Sequence, residues 1–522
     1  MYDLVIKNGH ILDGTGKPLF LSDIAVSGGK ICRIARDIEG GSKVIDAEGL
    51  VVTPGFIDSH SHSDNAMLTY PDQIEKIEQG ITTSIGGQCG SSPAPIDKGA
   101  DPARAEWTGD SGKVRAVYRT MGEFLDIGGK VPLGSNLVTF VGHGSLRRAA
   151  MGIENRVPSK GELDEMRELL RDGLAHGAIG ISFGLFYTPG CYAETDELIE
   201  LARVVAEYNG MIAAHIRDEG DFLIESTEEF IKVVRESGVK KGVLSHHKAL
   251  GKGNWGKVTH TLRMIDEANE EGLEIYCDVY PYTAYNTGLS AEFIPKELRA
   301  DGFDGMAKIF ADPDERVKLI ERIRNSNRSD IGSILITGCR FHPEYNGKTV
   351  SEIAGMYSKD ECETILDLIR DSRDNCDACF FGMCEEDVEA VLAHKMAMIC
   401  TDSSVAKGRS VYHPRLIGTF PRVLGRYVRE RKITSLSEMI RKMTSMPATV
   451  YGLKGKGILA EGFDADICIF DPERIIDRAE YTDCAKKAEG LNYVILGGEV
   501  VAEDATYNGK KKGKLILRHK QY

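Results

Sequence analysis

Five short apolar runs, spread over most of the chain, each lead into residues that bind metal ions. The first, Val51-Val52-Thr53-Pro54-Gly55-Phe56-Ile57-Asp58, runs into His60-Ser61-His62. Alternate residues of a strand point to the same side, so these two imidazoles converge while Ser61 faces away. Cys89 follows Ile81-Thr82-Thr83-Ser84-Ile85, His215 follows Met211-Ile212-Ala213-Ala214, His246 follows Gly242-Val243-Leu244-Ser245, and Asp402 follows Met398-Ile399-Cys400-Thr401. Four imidazoles, a thiolate and a carboxylate at strand ends are the donors of a metal site suited to hydrolysis. A divalent ion polarises a carbonyl and acidifies water, and a carboxylate accepts the proton released on attack.

Few folds bring so many strand ends to one rim. Between the terminal regions, apolar strand runs alternate with helical patterns such as Leu163 to Leu170 and Leu198 to Tyr208, as in a parallel sheet with crossover helices. Eight strands end near His60, Cys89, His143, Leu185, His215, His246, Tyr280 and Asp402. This predicts an α/β fold, a (β/α)8 TIM-type barrel whose active site lies at the carboxyl ends of its strands. A doubly wound open sheet would not readily draw ligands from so many strands. Short strands and Gly-rich turns before residue 54 and after residue 455 predict one small β-sandwich domain built from both chain termini. The division is then 1–54, 55–454 and 455–522, with an insertion over the barrel mouth at about 284–347. Two more strand-like runs, Ser333 to Thr337 and Ala378 to Gly382, compete for places in the barrel.

The 522 residues carry a net charge of −14, which argues against a nucleic-acid surface. No run is long and apolar enough for a membrane span. The start, Met1-Tyr2-Asp3-Leu4-Val5-Ile6, enters a strand pattern without a signal peptide's apolar segment, so a cytoplasmic location is expected. The twelve cysteines show no disulfide spacing and are read as thiols; Cys362, Cys376, Cys379 and Cys384 are read as core residues. Lys510-Lys511-Lys512 reads as a solvated tail. His143 and His413 are read as positioning residues.

Several stretches together resemble the D-aminoacylase (N-acyl-D-amino-acid deacylase) branch of the metal-dependent amidohydrolase superfamily. They are Thr53 to Asp64, Gly86-Gly87-Gln88-Cys89-Gly90, Ala214-His215-Ile216-Arg217-Asp218-Glu219, Ser245-His246-His247-Lys248, His413 to Arg422, and the closing Gly455 to Asp466. Many amidohydrolases bridge two metals with a carboxylated lysine from the fourth strand, but Ala178 to Leu185 contains no lysine and Cys89 is the available replacement. The resemblance implies one tight zinc held by Cys89, His215 and His246, a second, weaker position lined by His60 and His62, and Asp402 as general base and then acid. Adjacent residues face opposite sides of a strand, so only one of His246 and His247 faces the mouth, and the motif favours His246. Lys248, two residues on, is expected to pair with the carboxylate of an N-acyl amino acid; Tyr282 and Ser290 are further substrate-contact candidates. The implied reaction is hydrolysis of an N-acyl-D-amino acid to a carboxylate and a free D-amino acid. A D-amino-acid-containing dipeptide or a cyclic amide of the hydantoin or dihydroorotate kind are alternative substrates, and a catalytically dead scaffold is the non-enzyme alternative. The residue types specify neither acyl group nor side chain nor oligomeric state; Arg217, Arg340 and Arg415 are the cations whose placement bears on side-chain preference.

Overall fold

The computed structural model describes residues 1–518 except Asp110, Ser111, Lys407, Arg409 and Ser410. Its centre is a closed barrel of eight parallel strands: Phe56–Asp58, Ile81–Gly86, Asn136–Thr139 continued by Val141–Gly142, Gly180–Gly184, Met211–His215, Lys241–Leu244, Glu274–Val279 and Ala397–Ile399. These are the eight strands read from the sequence. Strands two, four and five are buried at every position, as a parallel strand under a ring of helices must be. Ile57, Ile85, Val138, Ile179, Ala213 and Val243 belong to one cluster, so the barrel is packed through and is not a pore. The Tyr451 hydroxyl, just past a helix at Ser445–Val450 that joins this cluster, donates to the Ser59 carbonyl at 2.8 Å.

The crossover helices form where amphipathic spacing and capping agree. Lys160–Ala175 starts with a reciprocal capping box of Ser159 and Glu162 and buries Met166, Leu170 and Leu174 along one side. Helices Thr195–Glu207, Leu223–Ser237 and Lys257–Glu270 follow strands four, five and six and likewise bury one apolar side, without a side-chain cap.

Strands one and eight close the ring. Ser59 N donates to Ile399 O at 3.2 Å and Asp402 N to His60 O at 2.9 Å. Beneath them Asp58 accepts from Lys76 Nζ at 2.9 Å, Thr401 Oγ1 at 2.6 Å and Thr401 N at 2.8 Å. Both side chains of the Lys76–Asp58 pair are wholly buried.

Both chain ends build one nine-stranded sheet, in which Val51–Pro54 pairs with Ile467–Phe470. Its core draws Leu4, Ile24 and Val52 from one end and Ile467, Ile469 and Ile495 from the other. Between barrel strands seven and eight lies an insertion with its own antiparallel sheet: Tyr285–Gly288, Leu335–Cys339 and Cys376–Phe380. The two competing strand-like runs are therefore outside the barrel, and this sheet continues past residue 347. Lys510 and Lys512 pair with Glu499, and Gly513 and Leu515 bridge to Leu133 and Leu137, so this segment docks on the barrel instead of trailing into solvent. No helix among the described residues is long and apolar enough to cross a membrane.

Lys76→Met leaves the Asp58 carboxylate buried without its cation. We expect a loss of about 3–5 kcal/mol of stability, read as a lower denaturant midpoint. Lys487→Ala breaks a half-exposed pair with Glu78 and should cost under about 1 kcal/mol.

Candidate active site and metal centre

The carboxyl ends of the strands open into a cavity of about 490 Å³ roofed by the insertion. At its floor lies Cys89. Its Sγ is 3.3 Å from His60 Nε2, 3.3 Å from His246 Nε2 and 3.7 Å from His215 Nδ1. Donors of a tetrahedral zinc site stand about 3.5 Å apart, given zinc–sulfur and zinc–nitrogen bonds of about 2.3 and 2.0 Å. The donor set present therefore fits a thiolate–imidazole metal centre. Burial pushes the Cys89 thiol up, but the imidazoles of His60 and His246 outweigh it and hold the group well below its ordinary value, toward the thiolate form that a metal requires.

The sulfur stands between two sets of donors. On one side are His215 and His246, each beside Glu219: His246 Nδ1 is 2.9 Å from Glu219 Oε1 and His215 Nε2 is 3.7 Å from Glu219 Oε2. A proton on His246 Nδ1 shared with this carboxylate leaves Nε2 free as a ligand. On the other side are His60, His62 and Asp402, with Asp402 Oδ1 at 3.5 Å from His60 Nε2 and 3.2 Å from His62 Nε2. Asp402 Oδ2 lies 2.9 Å from Arg415 Nη1. Burial raises the Asp402 carboxyl, yet Arg415 and His246 hold it well below the usual carboxylate range.

Local backbone geometry aims these groups. Cys89, His246 and Asp402 all have left-handed φ values, 52°, 37° and 45°, uncommon for residues with a Cβ. Each turns its side chain inward where a continuing strand would carry it past the rim. Gly184 makes room for the Cys89 turn, since a Cβ there would meet the Cys89 carbonyl at 2.0 Å. His246 N is held by Asp278 Oδ1 at 2.6 Å.

All six residues proposed for the metal and the base meet at this point. His247 faces the opposite way, its Nε2 2.7 Å from Thr261 Oγ1. Lys248 lines the cavity, but its Nζ also donates to Glu219 Oε1 at 2.7 Å and His246 O at 2.8 Å. Two substrate-contact expectations need correcting. Tyr282 is turned away behind the cavity wall, beneath Arg422, whose guanidinium lies 4.7 Å from its ring, and beside the His413 ring. Ser290 is not in the cavity lining and bonds through its side chain to Asp374. The tyrosine that does line the cavity is Tyr280, whose ring has Arg415 at 4.6 Å and Lys248 at 5.6 Å. His413 fixes the Arg415 loop, with Nε2 donating to Ala284 O at 2.9 Å and Nδ1 accepting from Arg415 N at 3.1 Å. His143 pairs with Glu197 at 2.8 Å, apart from the metal donors. Arg217 pairs with Glu229 and Arg340 stacks on Phe341; neither lines the cavity. Glu219 lay inside a motif given in the sequence analysis without a role, and Arg415 was named there only as a cation bearing on side-chain preference, not as the partner of Asp402.

A family model described as the amidohydrolase family matches residues 43–121 and 386–502. The chain is 34% identical to D-aminoacylase of Alcaligenes xylosoxydans xylosoxydans, over 99% of this chain and 98% of that protein. It is 35% identical to N-acyl-D-glutamate deacylase of the same organism, over 99% of this chain and 96% of the relative. Among solved structures, N-acyl-D-glutamate deacylase from Bordetella bronchiseptica superposes with a TM-score of 0.83 at 32% identity, covering 99% of both chains; it holds zinc and a phosphonate inhibitor that mimics the tetrahedral intermediate.

Glu219→Gln removes the charge that orients His246. We expect about 10–100-fold weaker binding of Zn²⁺, measured by chelator competition, with the circular dichroism of the fold unchanged.

Proposed function

The chain belongs to the D-aminoacylase branch of the amidohydrolase family, and on that premise we propose that it hydrolyses N-acyl-D-amino acids to a carboxylate and a free D-amino acid. One observation carries the reading: Asp402 stands between the metal-type histidines and a buried guanidinium, with one oxygen toward each. Cys89, His215 and His246 would hold the tight zinc, and His60 and His62 would line a second, weaker position that shares the sulfur. When bound, the ion supplies Lewis acidity, polarising the scissile carbonyl and acidifying water. Asp402 Oδ1 accepts the proton of the attacking water and returns it to the leaving amine. Arg415 holds the other oxygen, so the carboxylate presents one lone-pair edge to the substrate.

Arg415 also has an anchoring role. Its Nε and Nη1 are buried and make no hydrogen bond of normal geometry, although Nη1 lies near Asp402. A buried donor without an acceptor is costly, and a substrate α-carboxylate would supply one. Lys248 stands over the same Tyr280 ring; its ammonium also contacts Glu219 Oε1, His246 O and His246 Nδ1, so it acts on a carboxylate through its charge. Two cations on one wall thus fix the carboxylate relative to the scissile amide, which is how a site selects one enantiomer. The D preference itself rests on the relatives. The twelve cysteines are free thiols, which suits the cytoplasmic location we assign.

Zinc-loaded enzyme assayed against N-acetyl-D- and N-acetyl-L-amino acids, hydantoins and dihydroorotate should turn over the D series. Turnover confined to L or cyclic substrates would overturn the assignment. Asp402→Asn should lower kcat/KM by about 10²–10⁴-fold while zinc content, measured by elemental analysis, stays at the wild-type level. Unchanged activity in that variant would exclude Asp402 as the proton carrier.

A further inference from the structure

The end of the cavity beyond His215 contains a group that the reaction does not use. Glu292 lines the cavity on the short helix Leu289–Phe293 of the insertion. Its side chain is 1% exposed, and neither carboxylate oxygen has a hydrogen-bond partner. The Tyr285 hydroxyl stands beside it, placed to donate to one of the two oxygens. The nearest cation, Arg328 Nη1, is 3.8 Å from Glu292 Oε2, but that guanidinium is already bound to Asp218 Oδ2 through Nη2. Two carboxylates thus share one cation, and this pole keeps an excess negative charge. It connects to the metal centre through Phe186, whose ring stacks on His215 at 5.5 Å and lies 5.8 Å from the Arg328 guanidinium.

Resting on the function proposed above, we propose that Glu292 receives an ammonium or guanidinium group of the substrate, carried by either the D-amino-acid side chain or the acyl group. Once Arg415 and Lys248 engage the α-carboxylate, the remaining described arginines and lysines lining the cavity are Arg148 and Arg328. Each faces a carboxylate, Asp97 and Asp218, and Arg328 has Glu292 as a second acidic neighbour, so neither adds net positive charge at this end of the cavity. A cationic group would supply Glu292 with the counter-charge that Tyr285 cannot, and form a charge-assisted hydrogen bond of the stronger class. It would also relieve the burial that raises this carboxyl above its ordinary value.

The test is kcat/KM of the zinc-loaded full chain in two arms. The first varies the side chain at fixed acetyl: N-acetyl-D-lysine and N-acetyl-D-arginine against N-acetyl-D-norleucine and N-acetyl-D-glutamate. The second varies the acyl group on D-leucine: glycyl against acetyl and propionyl. In at least one arm the cationic substrate should exceed its neutral counterpart by about tenfold or more, and Glu292→Gln should reduce that ratio by about tenfold or more. The wild-type ranking stands even if the variant fails to fold. Neutral or acidic substrates leading in both arms, or a ratio unmoved by Glu292→Gln, would overturn the proposal. Hydrolysis of N-acetyl-D-norleucine with no cationic preference sinks this inference alone, whereas no turnover of any D substrate sinks the function beneath it.

Discussion

The seam between the first and last barrel strands is the constraint on which the site depends. His60 and Asp402 lie 342 positions apart, yet the amide of one donates to the carbonyl of the other at 2.9 Å. Directly below, Asp58, Lys76 and Thr401 form a wholly buried polar network that ties the same two strands. A buried ion pair is costly unless its remaining polar atoms are satisfied. Here Lys76 Nζ is also bonded to Thr401 Oγ1 at 2.7 Å and Ser403 O at 3.0 Å. The network specifies register: a slip of one residue would separate these groups and turn both His60 and His62 away from the cavity. Barrel closure and placement of the base beside the metal histidines are therefore the same event.

Above the seam the structure tolerates strain where the chemistry requires it. Left-handed backbone at Cys89, His246 and Asp402 costs of order 1–3 kcal/mol at each residue. At His246 and Asp402 the same residue's amide is hydrogen-bonded, to Asp278 Oδ1 at 2.6 Å and to His60 O at 2.9 Å. At Cys89 the turn lies against Gly184 and the next amide, Gly90 N, is bound by Ser182 Oγ at 3.0 Å. Rigid strand ends over-determine these conformations and hold the Cys89 sulfur within 3.7 Å of three imidazoles.

The same geometry explains what was legible in the chain. Strands buried on both faces are continuous apolar runs, so all eight barrel strands and the ligand-type residue beyond each of several of them could be found without coordinates. The rules stop at the strand end. Tyr280 and Tyr282 would share a face if the seventh strand continued, but Tyr282 N donates to Tyr280 O at 3.0 Å in a tight turn. The alternation is lost there, and the inward tyrosine is the earlier one. Ser290 and Glu292 occupy one short helix, where positions two apart point in different directions; the cavity receives the carboxylate and the hydroxyl turns to Asp374. Arg415 gains its role from His413 and the Asp402 rim, a tertiary arrangement with no local signature. The strands Leu335–Cys339 and Cys376–Phe380 had the composition of barrel strands, and only pairing with Tyr285–Gly288 assigns them to the insertion.

That division has a functional logic. The metal donors and the base stand at the ends of barrel strands, while Tyr285, Glu292, Arg328 and Thr337, on the insertion, shape the rest of the cavity. Side chains on the insertion can change without moving a metal ligand, because no ligand's backbone belongs to it. Glu219 is where the two halves meet. It orients His246 and holds Lys248, and its charge also acts on Tyr285 and Glu292 across the cavity. One buried carboxylate thus serves as neighbour both to the imidazole placed for the metal and to the acidic far end of the cavity.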